Sequence, residues 1–135
     1  MGYRSNEAVQ TLDDFIKKEL GLDIKYNAEG QGMKYDEDKP RFDLIPFDLV
    51  SDEQKVWEYG AKKYEPNNWR KGMPMTQALN AAMRHLSAFM MGEDNDPESG
   101  VSHLAHVITS IRIAQNTYKY YPNLDDRHRW EFTKE

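Results

Sequence analysis

The stretch GEDNDPESGVSHLAHVITSIRIAQNTY, from Gly92 to Tyr118, decides the fold. At about 100° per residue, Val101, Leu104, Val107, Ile108 and Ile111 form one apolar helical stripe, and Ser99, His103, His106 and Ser110 form a polar stripe beside it. Asp96 followed by Pro97 joins a cap residue to a first-turn proline, so the helix is expected to start there and run to about Tyr118. Both imidazoles then point the same way, at the edge of the core. Just ahead of them Glu93, Asp94, Asp96 and Glu98 crowd one turn, and His85 adds a third imidazole one helix upstream. Oxygen-rich turns suit divalent cations, and neutral imidazoles add affinity for transition metals.

Upstream of this stretch, Thr76 offers an N-cap, and Leu79, Ala82, Met83, Leu86, Phe89 and Met90 recur at offsets of three and four until Gly92. The opposite face, Gln77, Ala81, Arg84 and Ala88, is too small and apolar for a plain solvent surface, so this helix is expected between neighbours. Residues 47–64 also read as a helix, with Val56, Trp57, Gly60, Ala61 and Tyr64 on one face. Residues 65–74 form a loop by their breakers, and residues 39–46, with a proline near each end, are expected to be extended. A shorter helix is expected from Ser5 to Leu20, with Gly21 as its stop, followed by an irregular arm. No stretch reads as a strand. The expected fold is all-α: a helical bundle with an irregular N-terminal arm (1–38), a helical domain (39–119) and a C-terminal tail (120–135).

A length of 135 residues fits a single core. A net charge of −5 argues against coating nucleic acid, which takes a basic surplus, although local basic clusters can still bind nucleotides. Without cysteine there is no disulfide framework, thiolate metal site or thiol nucleophile, so any metal must rest on carboxylate, imidazole or water. No run approaches a membrane span or a signal peptide, and a soluble, cytoplasmic protein is expected. Semi-apolar faces on so short an all-α chain point to a homo-oligomer.

Two constellations carry chemistry. The acidic turn with His85, His103 and His106 is the metal candidate, with Asp94, Asp96 and Glu98 as further ligands. The plainer alternative is a solvated connector beside hydrogen-bonded histidines, but clustered carboxylates leading into a His/Ser stripe are costly to bury without a ligand or partner. Lys62, Lys63, Asn68, Trp69, Arg70 and Arg84 are the nucleotide candidates: a base stacks on Trp69, the amide reads its edge and the cations hold phosphates. The alternative there is a tryptophan plugged into the core among ordinary surface charges. A P-loop, a dinucleotide fingerprint, a His-Glu-x-x-His and a serine elbow are all missing, so a nucleotide enzyme of this sequence would rely on metal-assisted attack by water.

Lys39-Pro40-Arg41-Phe42-Asp43-Leu44-Ile45-Pro46, Tyr59-Gly60-Ala61-Lys62-Lys63-Tyr64, Asn68-Trp69, Ala82-Met83-Arg84-His85-Leu86 and Gly92-Glu93-Asp94 with Glu98-Ser99-Gly100-Val101-Ser102-His103-Leu104-Ala105-His106 together resemble a bacteriophage family. It is the dATP/dGTP diphosphohydrolase amino-terminal family, related to the MazG-like all-α nucleoside triphosphate pyrophosphohydrolases. The resemblance implies an oligomeric enzyme cleaving a purine deoxynucleotide, dATP or dGTP, to monophosphate and pyrophosphate with magnesium or manganese. Glu93, Asp94 and Glu98 are then the expected catalytic carboxylates. MazG-like enzymes hold magnesium with Glu-x-x-Glu on one helix and Glu-x-x-Asp on the next. Here the corresponding helices offer Ala81, Ala82 and His85, then His103 and His106. Carboxylates must therefore come from the turn, a transition metal becomes a live cofactor, and non-catalytic sequestration of a nucleotide is the alternative function.

Overall fold

The computed structural model describes residues 14, 15, 17–19, 21 and 28–131. The chain divides into two units, residues 1–42 and 43–135. In the first, residues 14, 15 and 17–19 are helical, and Gly21 at φ 66° donates its N–H back to the carbonyl of Lys17, the stop expected of it. The remainder of the helix expected from Ser5 lies outside the described residues. Residues 28–40 are turns and irregular backbone apart from an isolated bridge position at Gly32, as an arm of this composition should be.

The second unit contains α1 (Phe47–Lys63), α2 (Met75–Met90) and α3 (His103–Tyr120). Among the described residues there is no strand, only isolated bridges, one of which joins Asn95 to Ser102. The stretch around residues 39–46, expected to be extended, instead contains a 3-10 turn at Phe42–Leu44. A second 3-10 turn, Asn68–Lys71, sits inside the expected loop.

The most extensive packing is between α2 and α3. Ala78 and Ala82 on α2 and Ala105 and Ala114 on α3 are all buried, and such small side chains let two helix backbones come close. Met75, Ala78 and Ala114 form a small core cluster, with Met73, Leu79 and Ile113 packed against it. Polar bonds finish the packing. Thr117, fully buried, donates to the carbonyl of Met73 (2.8 Å), and the Tyr121 hydroxyl donates to the carbonyl of Arg70 (2.8 Å). Gly72, at φ 90°, lies so near the Tyr121 ring that an added Cβ would come within 2.9 Å of it.

Three expectations about helix ends and faces are corrected. The last long helix begins at His103, not at Asp96-Pro97. Asp96 spends its cap on a closed turn, its carboxylate accepting from the Ser99 N–H and its carbonyl from Gly100, and Ser102 caps α3 by accepting from the Leu104 N–H. Thr76 is not a side-chain cap: α2 starts at Met75, and Asp126 accepts from both the N–H (2.8 Å) and the hydroxyl (2.6 Å) of Thr76. The third correction concerns burial. Leu104, Ile108 and Ile111, read as a core stripe, are 44, 43 and 48 % exposed, while His103, His106, Thr109, Ser110, Asn116 and Thr117 are buried. The polar stripe of α3 faces inward because it has partners there: Glu93, Ser99 and the 65–74 loop supply the hydrogen bonds that such burial requires.

Candidate functional site

Three elements bring the histidines together. His85 lies on α2, His103 and His106 lie one turn apart on α3, and the turn between the helices folds Asp96 and Glu93 back over them. The fold of that turn is local. Asp96 and Val101 are joined through the Asp96 N–H (2.8 Å), the His103 N–H reaches the carbonyl of Asp94 (2.9 Å), and Gly100 takes a left-handed φ of 73° that a side chain would resist.

The resulting cluster is compact. His85 Nδ1 and His103 Nδ1 are 2.9 Å apart. One ring nitrogen of each of these histidines and an oxygen of Asp96 lie within 4.8 Å of one another. His103 Nε2 meets Glu93 Oε1 at 2.6 Å. The His106 ring stacks on that of His85 with centroids 4.4 Å apart, and its Nε2 lies 2.6 Å from the Ser99 hydroxyl and 3.6 Å from Asp96. Burial holds the pKa values of His85 and His106 below the usual imidazole value, which favours the neutral, metal-ligating form. For Asp96 burial acts upward, but hydrogen bonds from Ser99 and the nearby imidazoles outweigh it and keep the carboxyl below its ordinary range.

A cleft of about 910 Å³ opens beside this cluster. His85, Asp96, Glu98 and His106 line it, as do Trp57, Tyr59, Lys63, Asn68, Trp69 and Arg84. Trp57 and Trp69 stack with centroids 4.6 Å apart. Lys63 is bound to Glu98 at 2.6 Å, the contact that chiefly raises the lysine pKa and lowers that of the carboxylate. Arg70 lies over the rings of Trp69 and Tyr120 and bonds Asn116 at 3.1 Å, and neither Arg70 nor Lys62 is among the cleft-lining residues.

Of the carboxylates singled out from sequence, Asp96 joins the histidine cluster, Glu93 touches it through His103, and Glu98 pairs with Lys63. Asp94 contributes its backbone carbonyl, and its exposed side chain is outside the cluster. Sequence reasoning passed over Glu53. This buried carboxylate accepts from Arg112 through two nitrogens (2.7 and 3.3 Å) and from the Trp57 indole (3.3 Å), so it braces one wall of the cleft. The signal was present: Glu53 stands three before Val56 and four before Trp57, on the face that these two residues share.

A family described as dATP/dGTP diphosphohydrolase, N-terminal, matches residues 29–127. A dATP/dGTP diphosphohydrolase of Salmonella phage PMBT28 is 30% identical over 99 residues, which is 73% of this chain and 33% of that protein. The chain thus spans about a third of the length of that relative. No solved structure matches it. Among the described residues no helix is long and apolar enough to cross a membrane. With most of the chain matched, including every residue of the histidine cluster and of the cleft, the protein belongs to the dATP/dGTP diphosphohydrolase N-terminal family.

Proposed function

We propose that this chain binds a purine deoxynucleoside triphosphate in the cleft and, with a divalent metal, hydrolyses it to monophosphate and pyrophosphate. One observation carries the reading: a His/Asp cluster borders a cleft that also presents an indole pair and two cations. The relative's name supplies the nucleotide class. Purine fits the wall built by Trp57 and Trp69, and Lys63 and Arg84 offer charge to phosphates. Lys63 is bound to Glu98 here, so an entering phosphate takes the place of that carboxylate.

The residues present suit a divalent ion: His85, Asp96 and His103 are two imidazoles and a carboxylate kept ionised by Ser99. Such an ion supplies Lewis-acid polarisation of a phosphoryl group and lowers the pKa of water. His106, whose burial favours the neutral ring and which lines the cleft, is placed to take a proton from the attacking water on Nδ1, while its Nε2–H donates to the Ser99 hydroxyl and fixes the ring. Attack at the α-phosphorus expels pyrophosphate. Lys63 and Arg84 neutralise the charge that develops on it.

Glu93, Asp94 and Glu98 enter this reading unequally. Glu93 orients His103, Glu98 competes for Lys63, and Asp94 shapes the turn through its carbonyl. Self-association belongs to the same reading, since Leu104, Ile108 and Ile111 leave an apolar stripe on α3 exposed. Light scattering that gives a monomeric mass at micromolar concentration removes that part.

The test is incubation with each deoxynucleoside triphosphate plus magnesium or manganese, followed by chromatography of the products. Deoxynucleoside monophosphate and pyrophosphate from dATP or dGTP, abolished by chelator, support hydrolysis. Tight binding with the nucleotide recovered intact under every metal, and equally in chelator, replaces it with sequestration.

A further inference from the structure

We infer that His85 and His103 bind one first-row transition-metal ion through their Nδ1 atoms together with Asp96, that Glu93 positions His103 for this, and that magnesium is a poor occupant. This deepens the reading above, on which the metal requirement rests, by naming the ion class and the coordinating atoms.

The two Nδ1 atoms stand 2.9 Å apart. Two imidazole nitrogens each roughly 2.0–2.1 Å from one ion, at angles from a right angle to tetrahedral, stand about 2.9–3.4 Å apart. The observed separation therefore fits adjacent positions on a shared ion. Tautomer chemistry points the same way. Glu93 accepts at 2.6 Å from His103 Nε2, which places the ring proton on Nε2 and leaves a lone pair on Nδ1, the atom aimed at His85. A carboxylate that orients the far nitrogen of a ligating imidazole is the usual support of a histidine–metal bond. His103 is 3 % exposed, so its orientation is fixed by packing as well.

Asp96 completes the set. Its Oδ2 accepts from the Ser99 N–H, and the turn holds a carboxylate oxygen within 4.8 Å of one ring nitrogen of each histidine. Two nitrogens and a single carboxylate make a site of borderline softness, which suits manganese, iron, cobalt, nickel or zinc. Magnesium is bound through oxygen and retains its water, and only one carboxylate is offered to it here. His106 is distinct from this set: its Nε2 is occupied by the Ser99 hydroxyl and its ring is stacked on His85.

Cobalt(II) is the probe, added to the chain without nucleotide, so the result is independent of any hydrolysis. Binding is followed by visible d–d absorption and by metal content after dialysis, and a tenfold excess of magnesium is added as competitor. One cobalt per chain, retained against magnesium, is expected. His103→Ala and Asp96→Asn should abolish it, and Glu93→Gln should weaken it about 10–100-fold, the usual effect of removing such a supporting carboxylate. In long-range nitrogen–proton spectra of the wild type, zinc should shift Nδ1 of His85 and His103 while His103 Nε2 keeps its proton. Circular dichroism confirms that each variant is folded, and Glu93, being exposed, is the variant least at risk. Loss of cobalt to magnesium, coordination through Nε2, or unchanged affinity in Glu93→Gln overturns the inference. Metal binding as described without nucleotide cleavage leaves it standing and removes only the hydrolase reading.

Discussion

Glu53 on α1 and Arg112 on α3 form an ion pair in which the carboxylate is buried and the guanidinium is half exposed, with Glu53 Oε1 2.7 Å from Arg112 Nε and 3.3 Å from the Trp57 indole nitrogen. This pair ties two helices together behind the wall of the cleft.

Its hydrogen bonds to Arg112 come first among the causes that hold the Glu53 pKa below the ordinary carboxylate value; burial opposes them. A depressed carboxylate contributes stability that is fully present above its unfolded value, about 4.3, and is lost as pH falls through the lower folded value. Urea titrations at pH 7, 5, 4 and 3 should therefore show a loss of stability below about pH 4.3 that is smaller in Glu53→Gln. An identical pH slope in the variant would show that the pair does not couple to folding.

Gly72→Ala should destabilise the fold by about 1–3 kcal/mol, because the residue must hold a left-handed φ and its new Cβ would meet the Tyr121 ring. Denaturant melts of the variant measure this. A change below half a kcal/mol, roughly the scatter of neutral surface substitutions, would mean that the 65–74 loop does not pack on Tyr121 as described.

The face of α3 that turns inward can be tested by a pair of substitutions. Thr117→Val removes the bond to the Met73 carbonyl at a fully buried position and should cost about 1–3 kcal/mol, whereas Ile108→Gln on the exposed stripe, measured on the monomer at concentrations too low for self-association, should stay within about 0.5 kcal/mol. The reverse order would restore the apolar stripe to the core.

That inversion marks the limit of what the sequence disclosed. Periodicity identified the three long helices and put His103 and His106 on one side, because 3.6-residue spacing is a property of the chain alone. It could not say which of two adjoining stripes faces in, since that depends on whether Glu93, Ser99 and the 65–74 loop arrive with hydrogen bonds to offer. The same holds for the helix starts. Asp96-Pro97 has the composition of a cap, yet Gly100 permits a closed turn that uses up the Asp96 oxygens, and the carboxylate that caps α2, Asp126, lies fifty residues away. The histidine cluster was legible as residue types within fifteen positions plus His85, while the choice of Asp96 over Asp94 and Glu98 needed the fold of the turn.

Trp69 lines the cleft and stacks on Trp57, so a purine that docks there should quench indole fluorescence. Trp69→Ala should weaken dGTP binding by about 1–3 kcal/mol, the scale of base stacking on an aromatic side chain. Trp57 and Trp130 are replaced singly as controls for the signal. Unchanged affinity in a folded Trp69→Ala protein would make the indole a structural plug.

The most direct test of the account is hydrolysis of dGTP in oxygen-18 water with manganese present, followed by mass spectrometry of the products. Water attacking the α-phosphorus, with His85, Asp96 and His103 holding the ion, predicts one heavy oxygen in dGMP, unlabelled pyrophosphate, and no turnover in Asp96→Asn. Label appearing in pyrophosphate, release of deoxyguanosine with triphosphate, or recovery of intact dGTP after long incubation would contradict it.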